Sequence, residues 1–388
     1  MPYNKNLQPL PSAFRPHCLA RERLLLWLPL YTPRNESRLP LLQTDLQRVF
    51  TVISHAYAPS TLETYGSGLL VFHVFCDQKG VLESQRAPAS TLLLSAFVAA
   101  MAGSYSGDAI ANYMAAVHAW HVLHGIEWAI DKDQLRALYK GSNRLAPPAS
   151  KRQKRAPYTI TFLLAIRSAL DLSNPLHAAF WACLTTTFYS TSRLGEFVLP
   201  SLQAFDRSRH VTRSDISVTH DRNQLKTTSF HLPSTKCSPI EGEDVSWAKQ
   251  DGLTDPEAAL DHHLAVNNPL SSGEALFSYT HTDGKRRPLT RRNFLKCLAE
   301  AGKRAGVDVP PAHGIRIGSV LEYLLRGMPF IVMQVKGRWA GPSFTKYLRQ
   351  HAEVLAPYMQ ANSVVLADFT RIAMRPFGKI RISHNGKH

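Results

Sequence analysis

His313-Gly-Ile-Arg-Ile-Gly-Ser319 and, further along, Gly337-Arg-Trp-Ala-Gly-Pro-Ser-Phe-Thr-Lys-Tyr347 are the stretches that decide what this chain is. The first sets an imidazole and a guanidinium three residues apart, opening an apolar-striped segment that predicts a helix over His313–Arg326. The second ends in Tyr347, eight residues after Trp339 and 31 after Arg316, in a helix expected over Ser343–His351. Each is weak alone. A histidine three residues before an arginine arises easily by chance, and a lone tyrosine on an amphipathic helix usually packs in a core.

Two more signals precede them. A helix expected over Pro175–Tyr189 runs into Thr191-Ser-Arg-Leu-Gly-Glu196, which sets Arg193 and Glu196 three apart at a helix start. Alternation at Asp215–Thr219 and Thr228–Leu232 predicts short antiparallel strands. Leu232-Pro-Ser-Thr-Lys-Cys237 then places Lys236 at a hairpin tip, with Lys226 a competing lysine about one strand earlier. Further helices are expected at Pro256–Val266 and Thr290–Ala305. The pattern over 158–360 is that of an α+β domain, mainly α with a small antiparallel β-sheet.

Upstream, Ala146-Pro-Pro-Ala-Ser-Lys-Arg-Gln-Lys-Arg-Ala-Pro157 suits neither helix nor strand and reads as a basic, proline-rich linker over 146–157. Its Lys151, Arg152, Lys154 and Arg155 are candidates for DNA phosphate contact, for a nuclear import signal, or for both; a solvated linker with incidental charge is the plainer alternative. Residues 41–145 carry helical stripes, with N-caps expected at Ser60 (Glu63 completing a capping box), Ser90 and Ser106. They predict a bundle of four or five helices. Residues 1–40 read as an extension that orders on a partner, and 361–388 as a basic tail.

Of 388 residues, 45 are Lys or Arg and 29 Asp or Glu, a net charge of +16. That balance favours a polyanionic partner. No apolar run approaches the length that spans a bilayer, and a secretory leader pattern is not evident, so neither membrane insertion nor secretion is expected. The five cysteines are scattered with no C-x-x-C pair, which suits free thiols in a reducing compartment. His262 and His263 read as surface histidines, and no metal site is expected.

In order, Arg193, Glu196, Lys236, His313-x-x-Arg316, Trp339 and Tyr347 resemble the tyrosine recombinase (phage integrase, Cre-like) family, across about Pro157 to Gln360. Arg-Ile-Gly after His313-Gly-Ile, and Gly-Arg-Trp before the tyrosine, look closest to recombinases of eukaryotic mobile elements of the Crypton and DIRS kind. The resemblance implies that 41–145 is a core-binding domain, 158–360 the catalytic domain, and the two a clamp around double-stranded DNA. It also implies a tetramer on two DNA sites, strand exchange through a Holliday junction, no cofactor or metal, and a nuclear location in a eukaryote or a cytoplasmic one otherwise.

The implied chemistry is physically coherent. Arg193 and Arg316 grip the non-bridging phosphate oxygens with bidentate hydrogen bonds that lysine cannot reproduce. Such preorganised donors are typically worth about 3–4 kcal/mol each. Tyr347 is the nucleophile, and its phenol, with a reference pKa near 10, needs a base or a cationic field. His313 takes that proton or donates to the phosphate, and Lys236 protonates the leaving 5′ oxygen. Trp339 offers an indole N–H, and Glu196 orients His313 or Arg193. Two positions depart from the family: Thr191 replaces its usual glycine, and Trp339 stands where many members have histidine. A domesticated protein that binds DNA without cutting it, and a type IB topoisomerase-like enzyme, are the rival readings.

Overall fold

The structure is a computed structural model that describes residues 7–30, 42–150, 154–268 and 271–359. The chain divides into two compact units, Met1–Gln153 and Lys154–His388. Lys151 and Arg152 and the 361–388 tail lie outside the described residues.

The first unit is helical: α1 (Arg23–Leu26), α2 (Gln43–Ser54), α3 (Pro59–Gln78), α4 (Glu83–Arg86), α5 (Thr91–Met101), α6 (Gly107–Leu123) and α7 (Lys132–Leu145). The Ser90 and Ser106 hydroxyls accept the Leu93 and Ala109 amides at 3.1 and 3.3 Å, capping α5 and α6 as expected. Ser60 is not a cap. Pro59 already occupies the first helical position, where its fixed φ and missing N–H cost nothing.

Residues 7–30 are not an appendage that waits for a partner. Leu24 and Trp27 are fully buried with Phe72, Phe97 and Trp120 in this unit's core. The Trp120 indole donates to the Trp27 carbonyl at 2.6 Å, and Arg23 to the Gly66 carbonyl at 3.0 Å. Burying Leu24 and the large Trp27 ring gives this segment enough apolar contact to order on its own chain.

The second unit opens with α8 (Ile160–Ser168) and α9 (Pro175–Tyr189), followed by the strands β1 (Ile216–His220), β2 (Lys226–Leu232) and β3 (Glu243–Trp247). These form an antiparallel meander in the order β1-β2-β3, with Ile216 opposite Phe230 and Phe230 opposite Val245. Next come α10 (Pro256–Val266), the short pair β4 (Ser278–Thr280) and β5 (Arg286–Pro288), α11 (Arg291–Ala305), α12 (Gly314–Leu325), α13 (Phe330–Lys336) and α14 (His351–Met359). The chain is thus mainly α with a small antiparallel sheet. Phe180, Phe188, Phe230, Trp247, Phe294 and Val320 belong to a continuous core under the site.

Two local expectations change. His263 is a core residue, not a surface one: its Nε2 meets the Leu276 carbonyl at 3.1 Å and its Nδ1 the Asn267 amide at 3.0 Å. Tyr347 ends a 3-10 turn, Pro342–Tyr347, instead of lying within an α-helix. The chain turns extended at Leu348 and left-handed at Gln350 before α14 begins.

Candidate active site

α9 carries the first arginine to the site. Asn174 caps it and Pro175 takes its first position. Ala178 to Tyr189 are buried on every face, so the helix is the hub of the unit. It ends in Thr191, which holds φ at +57°. A β-branched residue in this left-handed region is strained, and glycine would be at ease there. The hydroxyl supplies compensation: Thr191 Oγ1 lies 2.8 Å from Ser319 Oγ, and both side chains are fully buried. The turn thus keeps a backbone shape that suits glycine, and the threonine ties it to α12. Tyr323 adds a second tie, donating from its hydroxyl to the Tyr189 carbonyl at 2.9 Å.

α12 lies close against the irregular segment 156–158. A Cβ on Gly318 would sit 1.9 Å from the Tyr158 carbonyl oxygen, and one on Gly314 2.6 Å from that of Ala156. Only glycine permits this approach. It sets His313 at the helix start and Arg316 one turn in, facing the site from a fixed backbone.

Four predicted residues meet there. The His313 and Tyr347 ring centroids are 5.2 Å apart, and those of Trp339 and Tyr347 5.1 Å. The Arg316 guanidinium lies 4.4 Å from the Trp339 ring centre and 5.6 Å from that of Tyr347. Arg316 is only 2% exposed. One Nη donates to the Gly337 carbonyl, while its Nε and other Nη have no hydrogen-bond partner. Burial, and after it the Arg193 charge, pull Arg316 down to about 10. It remains a cation at neutral pH.

Burial also lowers His313 below its ordinary value, helped by Arg155, Arg316, Arg193 and Arg349 in that order. At pH 7 the ring is neutral and can accept a proton. Arg155, from the basic linker, thus stands by the site, and its carbonyl accepts the Arg349 Nε at 3.2 Å. Lys154 is exposed beside it.

Among the described residues Glu196 bonds Arg193 and Arg338, not His313, and so orients Arg193. Its carboxylate accepts the Arg193 amide at 2.8 Å and Arg193 Nη1 at 2.9 Å. Burial alone would raise this acid, but Arg338 and Arg193 outweigh it and hold it below the usual carboxylate range.

Lys236 occupies the connection between β2 and β3, exposed to solvent. The next residue, Cys237, lies near enough to Arg193 to act on its charge, which sets this loop beside the site. Lys226 stands at the other end of β2, ion-paired with Glu257 on α10. Sequence reasoning missed Arg338, Glu243, Thr235 and Ser319. Three of them lay inside quoted stretches: Arg338 before Trp339, Thr235 before Lys236 and Ser319 three after Arg316; Glu243 alone has no fixed spacing to any motif.

The mainly helical architecture with its small antiparallel sheet matches the tyrosine recombinase fold of a solved structure. The structure resembles that of the XerH site-specific recombinase bound to palindromic difH substrate in a post-cleavage complex, with 14% identity and a TM-score of 0.51 over 81% of this chain and 84% of that one. Similarity is lower to a lambda integrase(75-356) dimer bound to a COC′ core site, with 14% identity and a TM-score of 0.39 over 79% and 94% of the chains. For the Flpe–Holliday junction complex the values are 12% and 0.34 over 87% and 85%. No family model and no curated protein matches the sequence.

Proposed function

We propose that the protein is a site-specific DNA recombinase that cuts and rejoins duplex DNA through a 3′-phosphotyrosyl link to Tyr347. The observation that carries this is Arg316. A guanidinium buried with two donor atoms unmatched costs about 1–3 kcal/mol or more unless a ligand supplies acceptors. A phosphodiester brings two non-bridging oxygens of the right charge, next to a phenol and a neutral imidazole.

The phenol oxygen of Tyr347 attacks phosphorus while its proton passes to His313. The bond from phosphorus to the 5′ oxygen breaks, its electron pair stays on that oxygen, and Lys236 supplies the proton. The products are a 3′-phosphotyrosine and a 5′ hydroxyl. Because one ester replaces another, rejoining by the reverse path needs no external energy source. Arg193 and Arg316 hold the charge that builds on the phosphoryl oxygens. Trp339 packs the nucleophile and faces the phosphate. Gly337-Arg-Trp339 supports a mobile-element recombinase of the Crypton or DIRS kind, acting in a nucleus as a tetramer on two sites through a Holliday junction.

A duplex library with a randomised core, nicked so that the released 5′ segment diffuses away, tests this. Wild type should accumulate detergent-resistant adducts whose sequenced DNA gives the site, and Tyr347→Phe should give none. No adduct from wild type, or adducts undiminished in Tyr347→Phe, overturns the proposal.

A further inference from the structure

Helix α13 ends at Lys336 and Gly337, and the next residue, Arg338, has φ of +57°. Glycine is the usual occupant of this position after a helix, because any Cβ is strained there. Arginine is a costly choice unless its side chain does something. Here the side chain is 9% exposed and forks between two acids that are far apart in sequence. Nη2 donates to Glu196 at 2.7 Å, and Nη1 to Glu243 at 2.8 Å.

Each carboxylate holds a different part of the site. Glu196 grips the backbone and side chain of Arg193. Glu243, at the start of β3, accepts the Thr235 hydroxyl at 2.5 Å. That same hydroxyl oxygen accepts the amides of Cys237 and Ser238 at 3.2 and 3.0 Å, bracketing Lys236 in the turn. One continuous set of bonds therefore runs from Arg193 through Glu196, Arg338, Glu243 and Thr235 to the loop that presents Lys236. Arg338 is its only cation between the two acids, and it immediately precedes Trp339.

The geometry points to Arg338 as a positioning residue that sets the Lys236 loop against Arg193, so that phosphate binding and leaving-group protonation are held in one frame. It touches no reacting atom. Lysine could not replace it, since one ammonium lacks the planar fork that reaches both acids. This inference rests on the recombinase reading above.

Leaving-group chemistry supplies the test. A duplex with sulfur in place of the bridging 5′ oxygen expels a thiolate, which needs no proton, so a defect confined to the general acid disappears on it. The duplex is the one recovered from the adduct library, in oxygen and sulfur forms. Arg338→Gly relieves the strained backbone and should fold, with its melting point close to wild type. It should cut the oxygen duplex about tenfold to a hundredfold more slowly, and the sulfur duplex at a rate near wild type. Thr235→Val, which leaves Arg338 and Glu196 untouched, should raise the sulfur-to-oxygen ratio in the same direction, as should Lys236→Ala.

Equal losses on both duplexes in Arg338→Gly and Thr235→Val would mean a merely structural role, and unchanged rates would mean none; either overturns the assignment. A wild type that forms no adduct on either duplex overturns the recombinase reading itself, a separate result.

Discussion

Four guanidiniums, those of Arg155, Arg316, Arg193 and Arg349, act on the His313 ring, and with burial they hold it below 6.5. If His313 accepts the Tyr347 proton, cleavage needs the neutral ring and is lost as pH falls through its folded pKa. Single-turnover cleavage should therefore show an acidic limb with its midpoint below 6.5. Arg155→Gln removes one opposing cation and should move that midpoint upward, toward the ordinary value. A limb that stays put in Arg155→Gln, or lies above 6.5 in wild type, contradicts the assignment. Thr191 makes a second residue-scale case. Thr191→Val keeps the strained left-handed backbone but strands the Ser319 hydroxyl, so it should destabilise the fold by about 1–3 kcal/mol. Thr191→Gly loses the same bond yet relieves about 1–2 kcal/mol of strain. Urea unfolding should rank wild type above the glycine variant, and that above valine.

Helix α13 joins the sheet through its last residue. Lys336 Nζ donates to the Ser246 carbonyl of β3 at 3.0 Å and lies 4.7 Å from the Tyr323 ring centre. Burial pulls it down to about 8. Between that value and the unfolded value near 10.5, the unfolded chain binds more protons than the folded one, so stability rises with pH across the window. The difference in urea midpoint between wild type and Lys336→Met should shift in favour of wild type from pH 8 to 10.5; a constant difference would show that the ammonium is not desolvated. Sequence pattern disclosed the elements whose signals are local, such as α9, with Pro175 at its start, and β2, with its alternation. It misplaced what neighbours decide. Tyr347 looks helical by spacing, but the chain leaves helical geometry at Leu348. His263 looks polar and exposed, but the Leu276 carbonyl and the Asn267 amide satisfy it in the core. Glu243 gave no sign at all, because its meaning comes from Arg338, 95 residues away. Arg193, His313, Arg316 and Tyr347 were legible for the opposite reason: the proposed phosphoryl chemistry calls for those residue types wherever the backbone goes.

At the scale of the molecule the net charge of +16 is unevenly placed. Residues 1–153 hold 15 basic and 10 acidic side chains, and residues 154–388 hold 30 and 19, so the second unit carries most of the excess. Part of that excess is tied up: Arg338 is bound to Glu196 and Glu243, Lys226 to Glu257, and Arg286 to Glu274. Cations already paired to carboxylates release few counterions when DNA arrives. Exposed ones with no ion pair among the described residues, such as Lys154 and Lys236, release more. The total charge therefore overstates the phosphate grip, and the salt dependence of binding measures what is left. On a duplex recovered from the adduct library, the logarithm of the association constant should fall linearly with the logarithm of salt concentration, at a slope of about −0.9 for each phosphate neutralised. Replacing Lys154 and Arg155 together with glutamine should make that slope shallower by about 2, and should weaken binding to unrelated duplexes by a similar factor, since phosphate contacts carry no sequence information. An unchanged slope would place both cations off the DNA and leave Arg155 with its effect on His313 alone.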